Sequence, residues 1–317
     1  MQRPGACFVL ACFTASSLWC GQRPAAPQQN TVTLRYALQP GTEWTYELEN
    51  RIEMTQSFMG IGNPEGTTVT ATVRMPIRYT VLRSLRDSLV LREVVDSLSL
   101  SMKAEGVGFI YDTVFSSPQG IATTYIFSPS GRLLSVERRV ADSSFWSSVA
   151  SAPLGRDMFR GGQRRLLTWF LPLPDRAISV GHTWTEERHD TTRDEQQTSI
   201  YRASLSHTLE AVVDTLGYRC ARIRSELRSL NSHLTARTQF GQISTEMTGS
   251  GVTITYAPLS QGVPIFQRGR LQMEGSFALG GQVEALGTIE QIMDVTLRQR
   301  CAGNRGCCWV PPSHTAV

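Results

Sequence analysis

One lysine, Lys103, stands in a chain of 317 residues, and every other basic side chain is an arginine. The net charge is only +4, and the arginines are spread along the whole length. With no basic cluster, the sequence lacks the electrostatic footprint of a nucleic-acid binder. Catalytic signatures are missing as well. There is no G-x-S-x-G elbow, no P-loop and no EF-hand loop. Gly60-Ile61-Gly62-Asn63-Pro64-Glu65-Gly66 imitates a dinucleotide loop. Pro64 and the strand-like sequence after it deny that loop the helix N-terminus that would hold a phosphate. Beyond the first 20 residues no stretch is apolar for long enough to cross a membrane as a helix. No cofactor is expected.

Cysteine and histidine are also scarce. Three of the seven cysteines fall within the first 20 residues. Cys220, Cys301, Cys307 and Cys308 remain, without any C-x-x-C spacing that would suit zinc, with or without His314. In an exported protein such cysteines meet oxidising conditions, and Cys220 and Cys301 are the disulfide candidates. Ser179-Val180-Gly181-His182-Thr183-Trp184-Thr185-Glu186-Glu187-Arg188-His189 looks at first like a zinc segment. A zinc helix needs histidines four apart, and here His182 and His189 are seven apart on strand-forming residues. In a strand His182, Trp184, Glu186 and Arg188 share one face, while Thr183, Thr185, Glu187 and His189 share the other. The two histidines then point apart, and no metal site is expected.

What the chain does have begins at its N-terminus. Arg3 precedes an apolar run from Cys7 to Cys20, and polar, proline-containing sequence follows from Gly21 to Asn30. This is the form of a secretory signal over residues 1–20, with cleavage somewhere in 20–26, followed by a polar linker over 21–30. A lipid anchor at Cys12 or Cys20 is an alternative: Trp19 suits lipidation poorly, and Cys12 leaves little apolar length before it. The expected location is the periplasm, the outer-membrane surface or the extracellular space.

The remainder alternates apolar and polar residues over long stretches, the signal of half-buried strands. Thr31–Leu38, Glu43–Phe58, Thr67–Ser84 and Val90–Gly106 read as strands, with Pro76 marking an edge or bulge. A hairpin turns at Pro129-Ser130-Gly131. Between Ala141 and Phe170 the alternation fails. Phe145, Trp146 and Val149 share a helical face there, and a second short helix is expected after Gly162. Leu171-Pro172-Leu173-Pro174-Asp175 excludes helix and leads into further strands. From Cys301 to Val317 the composition breaks into a disordered, cysteine-containing tail.

Gly41-Thr42-Glu43-Trp44-Thr45-Tyr46-Glu47 and Gly181-His182-Thr183-Trp184-Thr185-Glu186-Glu187 share the pattern G-x-x-W-T-x-E, 140 residues apart. Gly131-Arg132-Leu133 and Gly269-Arg270-Leu271 repeat near the same offset. These matches predict two related half-units, residues 31–140 and 179–300, joined by a helical, Pro-rich connector over 141–178. The expected fold is mainly β: an antiparallel, strongly curved sheet or incomplete barrel built from the two half-units, with short helices between them.

The stretches from Leu34 to Gly60, from Leu171 to Thr185, from Gly217 to Ile223 and from Met293 to Arg298 resemble an uncharacterised family of exported bacterial proteins, a domain of unknown function. The resemblance covers most of residues 32–300 and carries no catalytic signature. The strand-rich layout is also similar, at the level of fold, to periplasmic lipoprotein carriers of the LolA and LppX type. That similarity implies a sheet that holds acyl chains.

Met54, Phe58, Met59 and Ile61 place large apolar side chains near a loop, and Met247 does so in the other half. They are the candidate mouth for a lipid or other apolar ligand, methionine being adaptable to irregular partners. The expected function is that of a non-enzymatic cell-envelope protein binding such a ligand. An envelope scaffold that engages a protein partner is the alternative. A hydrolase assembled from distant strand residues such as His182, Glu186 and His207 is the second alternative.

Overall fold

Long alternation of apolar and polar residues produces very long strands. The computed structural model describes residues 31–58, 67–105, 108–140, 143–151, 170–193, 197–238, 241–279, 282–301 and 308–309. The first half holds β1 (Thr31–Val32), β2 (Glu43–Phe58), β3 (Thr67–Ser84), β4 (Leu89–Ala104), β5 (Phe109–Phe127), β6 (Leu133–Val140) and the helix α1 (Ser143–Ser151). The second holds β7 (Ile178–Ser179), β8 (Thr183–Arg193), β9 (Gln197–Thr215), β10 (Tyr218–Thr238), β11 (Gly241–Pro258), β12 (Phe266–Leu279), β13 (Gln282–Cys301) and β14 (Cys308–Trp309). The 21 residues of β10 extend for about 70 Å at the usual strand rise.

Twelve strands form one antiparallel sheet in the order β6-β5-β4-β3-β2-β13-β12-β11-β10-β9-β8, with β14 added beside β13. Neighbours in sequence are neighbours in space except at the centre, where β13 returns to pair with β2. The sheet is not closed into a barrel: β6 and β8 are its two edges. Mainly β, antiparallel architecture is therefore what the chain adopts.

The two faces of the sheet differ sharply. On β3, Ala71, Val73, Met75, Ile77, Tyr79 and Val81 are all buried, while Arg74, Pro76 and Arg78 between them are exposed. Pro76 lies inside the sheet, and the β3–β4 register is irregular between Arg74 and Arg78. A residue without an N–H is tolerated where the ladder is interrupted. The outer face carries cross-strand ion pairs, among them Arg74–Glu49 at 3.2 Å, Arg298–Glu47 at 2.6 Å, Arg268–Asp294 at 2.6 Å and Arg270–Glu290 at 2.7 Å. Each exposed pair adds little stability. Together they make the outer face charged along β2, β3, β12 and β13.

At one end the inner face is sealed by three extended segments, residues 33–42, 170–177 and 259–265. Tyr36 Oη donates to the Leu171 carbonyl at 2.8 Å, Tyr46 Oη to the Pro264 carbonyl at 2.6 Å, and Trp184 Nε1 to the Pro172 carbonyl at 2.7 Å. Phe170 packs against Phe127 and Tyr36, with ring centroids at 4.8 and 5.1 Å. The main core gathers there, from Trp44, Tyr46 and Leu48 through Ile77 and Tyr79 to Leu91 and Phe127.

Several expectations are altered. Only Thr31–Val32 of the first expected strand is strand; residues 33–38 alternate inward and outward because they lie across the sealed end of the sheet. The helix at Ser143–Ser151 forms and buries Phe145 in the core. The helix expected after Gly162 lies outside the described residues. Cys308–Trp309, in the expected tail, pairs with Arg300–Cys301.

The two G-x-x-W copies form the same local structure. Gly41 and Gly181 have φ of 79° and 88°, a left-handed turn that favours glycine. Gly41 N–H donates to Val81 at 2.8 Å and Gly181 N–H to Leu209 at 2.7 Å. Val81 and Leu209 in turn donate to the Thr42 and His182 carbonyls. The preceding β1 and β7 pair with each other, Val32 opposite Ile178. The second match does not correspond: Gly131 sits in a turn with φ of 86°, whereas Gly269 is inside β12.

Candidate functional site

Inward positions in β8–β13 carry polar residues where apolar ones are the rule. One row across the inner face reads Trp184, His207, Ser225, Thr253, Gly269, Met293 and Asn50, each opposite the next. His207 is 0% exposed. Its Nδ1 lies 2.8 Å from Ser225 Oγ, and its Nε2 lies 3.3 Å from Glu186 Oε2. A carboxylate only accepts, so Nε2–H donates to Glu186, while Nδ1 is hydrogen-bonded to the Ser225 hydroxyl. Arg188, two residues along the same face of β8, donates to both Glu186 oxygens at 2.7 and 2.8 Å.

Burial works to raise the Glu186 carboxyl. The hydrogen bonds from His207 and Arg188, with the Arg188 charge, outweigh burial and hold it below the usual carboxylate range. The pair satisfies two charges that would be costly alone in the interior. Trp184 lies over His207 with centroids 5.5 Å apart, and His182 stacks on Trp184 at 6.4 Å. The face assignment read from alternation thus holds: Trp184, Glu186 and Arg188 face inward together with His207.

Beside this cluster lies a cavity of about 80 Å³ bordered by residues of all six strands from β8 to β13. Arg188, Ser225, Thr253, Gln267, Arg270 and Gln291 provide its polar residues, and leucines from β9, β10 and β12 with Met293 its apolar ones. Gly251 and Gly269 also border it and contribute no side chain to fill it. Gln291 Nε2 donates to Asn50 Oδ1 at 3.0 Å.

Farther from the sealed end the inner face turns apolar but stays half-buried. Ile52, Met54, Met247, Leu271, Met273 and Ile289 all lie there. Met54 is opposite Ile289, which is opposite Met273; Met247 is one strand farther, opposite Gly275. A Cβ added at Gly275 would come within 2.9 Å of Met247 Cγ, and one at Gly249 within 2.8 Å of Met273 Cγ. The methionines therefore lie flat over bare backbone. Of the expected mouth residues, Met54 and Met247 share this face, three strand spacings apart. Phe58 ends β2, and Met59 and Ile61 lie outside the described residues. Cys220, one of the two disulfide candidates, is a free thiol, 0% exposed in the main core. Burial, with the Asp214 carboxylate nearby, pushes that thiol up to about 11. Cys301 closes β13, opposite Glu43 on one side and Cys308 on the other. Among the described residues no three His, Cys, Asp or Glu side chains are grouped to hold a metal.

Ser225, Arg188 and Gln267 were not singled out from sequence. For Ser225 a signal was available: it occupies an inward position between Ile223 and Leu227 in an otherwise apolar alternation, whereas Arg188 stands on a face of β8 that is polar around it.

No family model and no curated protein matches the chain. Solved structures similar to it include lipovitellin, solved for its lipid–protein interactions, at 10% identity and a TM-score of 0.43. That match covers 86% of this chain and 27% of lipovitellin, so the chain spans about a quarter of that protein's length. An outer membrane channel from Pseudomonas putida F1 matches at 7% identity and a TM-score of 0.26, over 83% of this chain and 97% of the channel. OccK5 (OpdH) from Pseudomonas aeruginosa matches at 7% identity and a TM-score of 0.23, over 80% of this chain and 98% of OccK5. These similarities are distant and not specific to LolA- or LppX-type carriers. Among the described residues no helix is long and apolar enough to cross a membrane.

Proposed function

We propose that the chain is an exported, non-enzymatic cell-envelope protein that binds a lipid or other apolar ligand on the inner face of its sheet. The observation that carries this reading is the half-buried apolar surface of Ile52, Met54, Met247, Leu271, Met273 and Ile289 on strands whose outer face is charged. Apolar side chains left partly open on the covered face of a sheet, next to a cavity, suit an apolar occupant. Export rests on the secretory form of residues 1–20. The test is native mass spectrometry of the mature protein, purified gently from an envelope fraction. An apolar adduct that is lost on denaturation is the expected result. A clean apo mass, together with no uptake of an apolar fluorescent dye, would sink the reading and favour a scaffold.

A second reading, a hydrolase, is favoured by the linked order Ser225–His207–Glu186, which is that of a nucleophile, a base and an orienting carboxylate. Ser225 sits inside a regular ladder between Thr253 and His207, however, so its backbone N–H is not free to stabilise an oxyanion. Labelling of Ser225 by a serine-directed fluorophosphonate, abolished in Ser225→Ala, would establish this reading; absence of labelling removes it.

A further inference from the structure

The wall of the cavity between β8 and β13 holds a buried polar atom without a partner. Arg188 is engaged with Glu186, Ser225 with His207, and Gln291 with Asn50. Gln267 borders the same cavity, is 7% exposed, and its Oε1 has no hydrogen-bond partner. Its cross-strand neighbour Thr255 is 0% exposed, and Oγ1 there is also without a partner. Buried carboxamide and hydroxyl oxygens are nearly always satisfied, so the unsatisfied Gln267 oxygen at the cavity wall marks the place of a missing group.

We propose that this cavity is the head-group subsite of the apolar trough, and that it takes an uncharged, hydroxyl-bearing amphiphile such as a long-chain alcohol or a hydroxylated neutral lipid. The proposal rests on the reading of the inner face as an apolar-ligand site and specifies its ligand class. A hydroxyl both donates and accepts, so it satisfies Gln267 Oε1 and can accept in return. Arg270 also borders the cavity, but its guanidinium is engaged with Glu290 on the outer face at 2.7 Å, so the charges to weigh are those of Arg188 and Glu186. A carboxylate or phosphate would compete with Glu186 for Arg188 and would lie close to the Glu186 carboxylate. A cation would meet Arg188. The half-buried Arg188–Glu186 pair is already neutral as a unit, and an uncharged head group leaves it undisturbed. The tail has a matching path. From Gly269, beside the cavity, to Gly275, beneath Met247, β12 runs six residues, about 20 Å at the strand rise. That is the reach of a long acyl or alkyl chain, and Leu271 and Met273 face inward along it.

The experiment is displacement of an apolar fluorescent dye from the mature protein by hexadecanol, hexadecane and hexadecanoate. Wild type is expected to bind hexadecanol about tenfold more tightly than either competitor, the scale of one satisfied buried hydrogen bond. In Gln267→Leu the ratio of alcohol to hydrocarbon is expected to fall to about one. Gln267→Met, which conserves volume, serves if the leucine variant does not fold. An unchanged ratio in the folded variant, or a wild-type preference for hexadecanoate, overturns the hydroxyl subsite while leaving the apolar trough standing. Failure of all three probes to displace the dye overturns both.

Discussion

In β3–β5 the buried carboxylate of Glu93 is held by two phenols: Tyr79 Oη at 2.6 Å and Tyr125 Oη at 3.2 Å. In β8 and β9 the half-buried carboxylate of Glu186 is held by an imidazole and a guanidinium. Both halves open on the same G-x-x-W turn and both bring an acid to the inner face. The first surrounds it with a filled aromatic core. The second surrounds it with a polar row, glycines and a cavity. The difference shows how one strand pattern serves two ends: large side chains at inward positions give a core, and small or polar ones at those positions leave room for a guest.

The largest effect that separates the halves is in packing. Phe170→Ala should cost about 3–5 kcal/mol, because the ring is 4% exposed and wedged between Phe127 and Tyr36. Met273→Ala, on the half-buried trough, should cost under about 1.5 kcal/mol, since less contact is lost there. Equilibrium unfolding in urea checks both, and equal losses would erase the distinction between core and trough. Next comes the polar support of the first half. Tyr79→Phe removes the 2.6 Å bond to Glu93 and should cost about 2 kcal/mol. In a double-mutant cycle with Glu93→Leu most of that loss should disappear.

The acid in the second half gives a pH signature. The Glu186 carboxyl is held below its ordinary range, so its contribution is present above the unfolded-state value and is lost as pH falls through the lower folded value. Thermal melts of wild type should therefore fall more steeply below about pH 4 than those of Glu186→Gln. Parallel curves would mean that Glu186 is not specially held. The smallest effect concerns the shared turn. A Cβ at Gly181 would meet nothing within 4 Å, so Gly181→Ala should cost only the left-handed strain, about 1–2 kcal/mol. A larger loss would show that the turn does more than redirect the chain.

Much of the architecture was legible because alternation was uninterrupted. Thr67–Ser84 reads as a strand from side-chain pattern alone, and the turn at Pro129–Gly131 reads from its proline and glycine. Leu34, Tyr36 and Leu38 misled, since an extended cover segment alternates just as a paired strand does. Strand order was not legible, because nothing local to β2 announces β13 as its neighbour. At the site, His207 and Glu186 were named only with His182, under the hydrolase alternative; in the fold His207 and Glu186 lie 3.3 Å apart. Gln267 could not be placed, because its significance depends on having no partner, and that is a property of the assembled sheet.

The central ladder joins β2 to β13, and its Arg298–Glu47 pair links residues 251 positions apart. The ladders on either side of that seam connect successive strands, which can form while their neighbours are still being made. The seam cannot form until almost the whole chain is present. Such non-local pairing folds slowly, so each half-sheet would wait with a bare edge on β2 or β13. A chain made from its N-terminus would finish folding only after its last strand arrived.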